Sequence, residues 1–476
     1  MASPVRSQDP FAALRSRRYL VLLAFAAVLG VPISAGAYWF IRLANNLQTW
    51  VYQDLPTAVG FQRAPSWWPL LPLVCAGILV GLIIRYVPGG GGESPAAGFS
   101  PGRPVSIPAL PGIAVAALVG IGLGPVVGPE GPLIALGAGL AVVALRLLRR
   151  EQPNELVAMV AATGSFAAIS TLLGSPLAGA FLLLEAAGLG GVTEAIVLVP
   201  GLLAAGIGTL IFTGLGSWTG YGNQSLAIGN LPTAAAPTTA EFGWALVAGI
   251  AAGLLSTALR RGALLARPHV ERVPVAVVPL IGLATAGLAI AYREATGKGW
   301  SDVLFSGQSA LPALITNSAG YSLGALLLLL VCKGLAYLGA MAGFRGGPIF
   351  PSMFLGAAGG LALAHAPGLS MMAGLAMGIA GMTAGMVRLP FSAVLLTSLF
   401  LQHDGTTVMP LSIVAAVISF LVVVRLTPTE FLNAPPPYPA EQVASRRPVS
   451  DPVARPAPVS SGSTPSNGFP PGGDGT

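Results

Sequence analysis

Apolar residues in this chain gather into long unbroken runs separated by short polar breaks. Examples are Tyr19–Leu43, Trp67–Val87, Ile107–Gly128, Leu133–Leu148, Leu156–Leu173, Phe181–Phe212, Phe242–Leu259, Val275–Ile290 and Tyr321–Met341. More follow at Met353–Ala366, Met371–Val387, Val394–Leu401 and Val408–Val424. A helix needs about 20 apolar residues to cross a hydrocarbon layer roughly 30 Å thick, and several runs reach that length. The period-two alternation that a membrane barrel requires is missing. The pattern predicts an all-α polytopic membrane protein. Polar segments divide it into an arm (1–18), a first membrane half (19–219), a Thr/Ala/Pro-rich loop (220–241), a second half (242–432) and a Pro/Ser/Gly-rich tail (433–476). The tail composition predicts disorder and no regulatory domain.

Composition sharpens this picture. Of 476 residues 54% are hydrophobic and 9% charged, against about a quarter charged in soluble domains. The 63 glycines recur at spacings such as Gly356–Gly360, which let membrane helices approach closely. Gly and Pro also interrupt many runs, and broken helices are tolerated in lipid only where their freed backbone groups face protein or a watery cavity. The interruptions therefore predict an internal route or binding site. A net charge of +7 is no nucleic-acid signature, because the arginines (Arg15, Arg17, Arg18; Arg146, Arg149, Arg150; Arg260, Arg261, Arg267, Arg272; Arg446, Arg447) flank the runs. Those segments and both termini are expected in the cytoplasm of a cell that carries the chain in its plasma membrane. Cys75 and Cys332 lie inside apolar runs and give no disulfide framework. His269, His365 and His403 have no metal-ligand spacing, and no metal or cofactor is expected. The same histidines offer no Ser–His pair for an intramembrane protease, so no enzymatic activity is expected.

The two halves echo each other. In the first, "GPEGP" (128–132) is followed, 44 residues after Pro132, by Pro176 of "SPLAGAFLLLE". In the second, "GFRGGPIFP" (343–351) is followed, 42 residues after Pro348, by Pro390 of "RLPFSAVLLTSLF". Paired sets of interrupted segments point to an inverted-repeat transporter with its site between the halves. Pro at the first helical position and Gly before it favour helix starts, and a helix start presents unpaired N–H groups to an anion. "GPEGP", "GGPIFP" and the glycine-rich "GGGGESP" (89–95) could aim three such starts at one point. Backbone dipoles hold an anion less firmly than Lys or Arg, as conduction requires. Glu130 then reads as a tethered competitor for those N–H groups. At about 4 Å and an effective dielectric near 20, it repels an anion by roughly 4 kcal/mol, so its protonation or displacement opens the path. A plain helix-capping role for Glu130 is the bland alternative.

These motifs, together with Gly174–Glu185 and Arg388–Pro390, resemble the CLC family of chloride channels and anion/proton exchangers. The resemblance implies a homodimer with one pore per subunit, built from an inverted repeat of tilted and broken helices, with Glu130 as the external gate. It implies an anion site at Gly92 or Ser94, Gly128, Glu130, Gly131, Gly347, Ile349, Phe350 and Phe431. The family's serine position falls on Gly92, with Ser94 two residues away. Pro348 lacks an N–H where the family donates one, which makes Ile349 the donor. Phe431 stands at the family's anion-coordinating tyrosine and has no hydroxyl. Many exchangers carry a second acid after the Pro-Leu-Ala-Gly helix, and here the pair reads Glu185-Ala186. Since intramembrane proton relays rest on such acids, the expectation is a voltage- or pH-gated chloride channel. The alternative is a proton-coupled anion antiporter with a proton pathway through Glu130 and Glu185, where Glu185 reads equally as a structural, hydrogen-bonded acid. Lys333 and Arg388 are expected to pair or snorkel, and Arg345 either lines an anion vestibule or sits in a plain loop. Chloride or a similar small anion and the lipid bilayer are the expected partners, with no nucleic acid.

Overall fold

The computed structural model describes residues 14–98, 105–148, 152–188, 191–220 and 233–428. The expectations for residues 1–13, for most of the 220–241 loop, for Phe431 and for the tail lie outside the described residues. Where apolar runs meet Gly and Pro, the chain breaks into sixteen α-helices among the described residues. The first half holds α1 (Arg17–Thr49), α2 (Leu55–Ala58), α3 (Leu70–Tyr86), α4 (Leu110–Gly122), α5 (Glu130–Leu148), α6 (Asn154–Leu173), α7 (Pro176–Ala187) and α8 (Gly191–Trp218). The second holds α9 (Thr239–Arg272), α10 (Pro274–Thr296), α11 (Leu311–Thr316), α12 (Leu323–Gly343), α13 (Ile349–Leu363), α14 (Met371–Val387), α15 (Pro390–Phe400) and α16 (Met409–Leu426). Eight segments are long and apolar enough to cross a membrane, among them Arg17–Ala58, Thr239–Arg272 and Leu323–Gly343. Six helices of 10–17 residues are shorter, α13, α14 and α15 included.

Several run boundaries move, for physical reasons. The run Ile107–Gly128 is helical only to Gly122, because Gly124 has a φ of 113° that a helix cannot continue through. The run Phe181–Phe212 is two helices, since α7 ends on Gly188 in the left-handed conformation. The second half starts its first helix at Thr239, ahead of the expected 242. There Thr238 and Glu241 form a reciprocal capping box, so sequence that reads as loop is helix start.

The halves repeat in packing as well as in sequence. In the first, α6 packs on α5, α7, α8 and α1; in the second, α14 packs on α13, α15, α16 and α9. α1 lies against α4 and α8, as α9 lies against α12 and α16. The repeat extends to single glycines. In α5 and α6, a Cβ on either Gly137 or Gly164 would strike the other's carbonyl oxygen. Gly356 and Gly378 stand at the matching positions of α13 and α14, and a Cβ on either would again strike the other's carbonyl. Such backbone contact is how helices associate where lipid gives no hydrophobic drive between them. α14 is buried from Met372 to Val387, and the centre of the molecule is therefore the short helices.

Candidate functional site: a carboxylate on a facing helix start

The site lies where the two halves meet head to head. Gly128 N–H donates to the Gly347 carbonyl at 2.9 Å, and Gly347 N–H donates back at 2.6 Å, an antiparallel bridge between repeat-equivalent residues. Each glycine stands two residues before a helix start, Glu130 on one side and Ile349 on the other. The reciprocal pair brings the starts of α5 and α13 together across a local two-fold relation. Only one of them carries a carboxylate.

That carboxylate crosses to the other half. Glu130 has no exposed surface. Its Oε1 accepts from the Ile349 N–H in a short hydrogen bond and from the Phe350 N–H at 3.2 Å. These are orphan donors of the α13 start, where partial positive charge gathers. Oε2 is buried and has no partner. Glycine is required around the carboxylate: a Cβ on Gly128 or Gly347 would occupy the volume of the Glu130 side chain, and one on Gly131 would press the Gly346 carbonyl at 2.9 Å.

The irregular approach to Glu130, residues 124–128, lies outside helix, and other elements hold its backbone, as membrane depth demands. Tyr52 Oη donates to the Leu123 carbonyl at 2.9 Å, and Phe305 N–H donates to the Gly124 carbonyl at 2.8 Å. Phe305 is held in turn by Lys333. Lys333 does not snorkel: it has no exposed surface, its Nζ donates to the carbonyls of Asp302, Val303, Leu304 and Phe305 at 2.9–3.3 Å, and the Asp302 carboxylate acts on it electrostatically. It also lies 4.2 Å from the Phe354 ring centroid. Four carbonyls meet a fully buried ammonium's need for acceptors in a way a single acid could not. Arg345 is also no vestibule arginine. It is buried and donates through Nε to Gly90 at 3.1 Å and through Nη1 to Phe344 at 3.3 Å, clamping the glycine-rich loop to the α13 approach.

The remaining sequence candidates divide. Ser94 donates its hydroxyl to the Met341 carbonyl at 2.5 Å. Gly92, at φ 99°, packs against Ile113. Glu185 serves another helix start: it accepts from Phe391 N–H at 2.9 Å, Ser392 N–H at 2.6 Å and Ser392 Oγ at 2.6 Å. One residue went unseen in the sequence. Tyr337 of α12 is fully buried, and its hydroxyl donates to the Pro348 carbonyl at 3.0 Å, directly before the amides that hold Glu130. A tyrosine in an apolar run gives no signal of this, because its partner is a backbone atom 11 residues away.

The fold and the site together define a polytopic helical membrane protein whose two half-repeats meet at a helix start that accepts a carboxylate. The profile described as "Voltage gated chloride channel" matches residues 96–423, and the chain belongs to this family, the CLC anion-transport proteins, which are not enzymes. YfeO, a candidate ion-transport protein of Escherichia coli O1:K1 / APEC, is 30% identical over 405 residues, covering 83% of this chain and 91% of YfeO. Among solved structures, a slow cyanobacterial Cl−/H+ antiporter aligns over 90% of this chain and 98% of its own, with TM-score 0.69 and 20% identity. A CLC-type fluoride/proton antiporter aligns over 85% and 95%, with TM-score 0.61 and 18% identity. At these identities the likeness establishes the CLC fold.

Proposed function

We propose that the chain is a proton-coupled anion antiporter in which Glu130 and the permeant anion, chloride or a similar small ion, compete for the amides of Ile349 and Phe350. The observation that carries this is the Glu130 carboxylate itself, sealed from solvent on a helix start that an anion would otherwise occupy. An anion reaching that seat must displace the carboxylate. A displaced carboxylate in dry surroundings must reach water or take a proton, because leaving it charged and unpaired is costly. Anion arrival is thereby linked to proton uptake. The antiporters that share the fold are in keeping with this reading.

Passive conduction gated by pH or voltage is the second reading. It draws on Ala186, where a second acid is absent, and on Glu185, whose three hydrogen bonds commit it to capping α15. Antiport then needs a proton route that does not pass through Glu185. We assign the remaining anion contacts to Gly128, Gly131 and Gly347, which make room at the seat, and take the assembly as a homodimer with one path per subunit. It sits in the plasma membrane with both termini in the cytoplasm.

The test uses the full chain in liposomes. A chloride gradient should drive protons uphill at a fixed ratio. Chloride flux with no accompanying proton movement would leave passive conduction instead.

A further inference from the structure

Beside Gly98 lies a second positively charged locus that nothing in the gate explains. Arg388 closes α14 with φ 61°, a left-handed conformation uncommon outside glycine. The repeat-equivalent position at the end of α6 is Gly174, at φ 62°, which adopts it without strain. The second half has put a guanidinium where the first half needs only a glycine, and retained strain of this kind marks functional positions.

Arg260, on α9, reaches the same place. A Cβ on Gly98 would lie 3.4 Å from Arg260 Nη2 and 3.5 Å from Arg388 Nη2, so the two nitrogens are at most about 7 Å apart. The two charges repel each other, and no acid among the described residues faces them. Arg260 Nη1 is buried and makes no hydrogen bond. Buried charged donors without an acceptor are rare because each costs its full desolvation. Like charges converging around an orphaned donor call for an anion. Tyr337 interacts electrostatically with both Glu130 and Arg260, so the two loci share a neighbour.

We propose that Arg260 and Arg388 form an inner anion-binding site that holds a small monovalent anion when it leaves the Ile349–Phe350 seat. This deepens the transport reading and rests on it. The sequence expectation that Arg388 pairs finds no acid beside it among the described residues.

The test is anomalous diffraction from bromide-soaked crystals of the full chain, with chloride flux measured in liposomes. Wild type should show a bromide peak between the two guanidiniums. Arg260→Gln should lose that peak and slow flux roughly tenfold or more, the size expected for one charge-assisted hydrogen bond, and Arg260→Lys should restore part of both. Should Arg260→Gln not fold, Arg388→Asn, which tolerates the left-handed conformation, should behave the same way. No peak in wild type, with Arg260→Gln and Arg388→Asn transporting at its rate, would overturn the inner site and leave anion transport standing. A peak in a wild-type protein that carries no anion would overturn the transport reading and leave the site.

Discussion

Replacing Glu130 with Gln keeps the shape of the side chain and removes its charge. In the wild type, Oε1 takes two hydrogen bonds from the α13 start. A hydrogen bond to a charged group contributes about 1.5–3 kcal/mol and a neutral one about 0.5–1.5, so losing the charge weakens each by about 1–1.5 kcal/mol. Two bonds make about 2–3 kcal/mol. The Gln amide nitrogen gains nothing in return, because the oxygen it replaces has no partner. An anion taking the seat meets the same dry surroundings as the carboxylate, so desolvation cancels in the comparison. The mutant should therefore bind chloride or bromide roughly 30- to 150-fold more tightly. Protonating wild-type Glu130 removes the same charge. Wild-type anion affinity should accordingly rise as pH falls, while that of Glu130→Gln stays flat. Calorimetric titration of both proteins across pH measures this directly. Equal affinities with parallel pH dependence would refute the idea that carboxylate and anion compete.

Other consequences follow from the same geometry. Lys333→Met strips the ammonium from four carbonyls and frees the Phe305 anchor; each acceptor left unsatisfied should cost about 1–3 kcal/mol, and the loss should appear as a lower thermal unfolding midpoint in detergent. Glu185→Ala should cost about 1–2 kcal/mol through loss of a helix cap and leave the proton-to-anion ratio of the transporter unchanged; a changed ratio would put Glu185 on the proton route. Gly356→Val, which forces a branched side chain into the Gly378 carbonyl, should abolish monodisperse protein on size-exclusion chromatography, whereas Gly36→Val, at an open position, should not. Burial holds the Asp302 carboxyl above its usual range, so the folded chain binds this proton more tightly than the unfolded one. Stability should then fall as pH climbs from about 4, and Asp302→Asn should flatten that part of the pH–stability profile.

The sequence displayed what depends on local chemistry. Run lengths gave the membrane class, and Gly/Pro breakers gave the twin helix starts that meet at Gly128 and Gly347. The isolated acid in "GPEGP" gave the side chain that crosses between halves. What stayed hidden depends on partners distant in the chain. Residues 124–128 are as apolar as α4, and hydropathy cannot separate a helix from an irregular segment held by Tyr52 and Phe305. Lys333 reads as a snorkelling charge until four backbone carbonyls surround it. Arg260 reads as a cytoplasmic edge residue, and only α14 and the Gly98 turn reveal that it faces Arg388. Backbone acceptors leave no trace in a residue string, which is why Tyr337 went unnoticed.

The competition at the α13 start is open to direct view. A bromide-soaked crystal of Glu130→Gln should carry an anomalous peak within hydrogen-bonding reach of the Ile349 and Phe350 amides, at the position the wild-type carboxylate fills. A mutant that still transports chloride but holds no bromide there would contradict the account, because the anion would then cross by a path that Glu130 does not occupy.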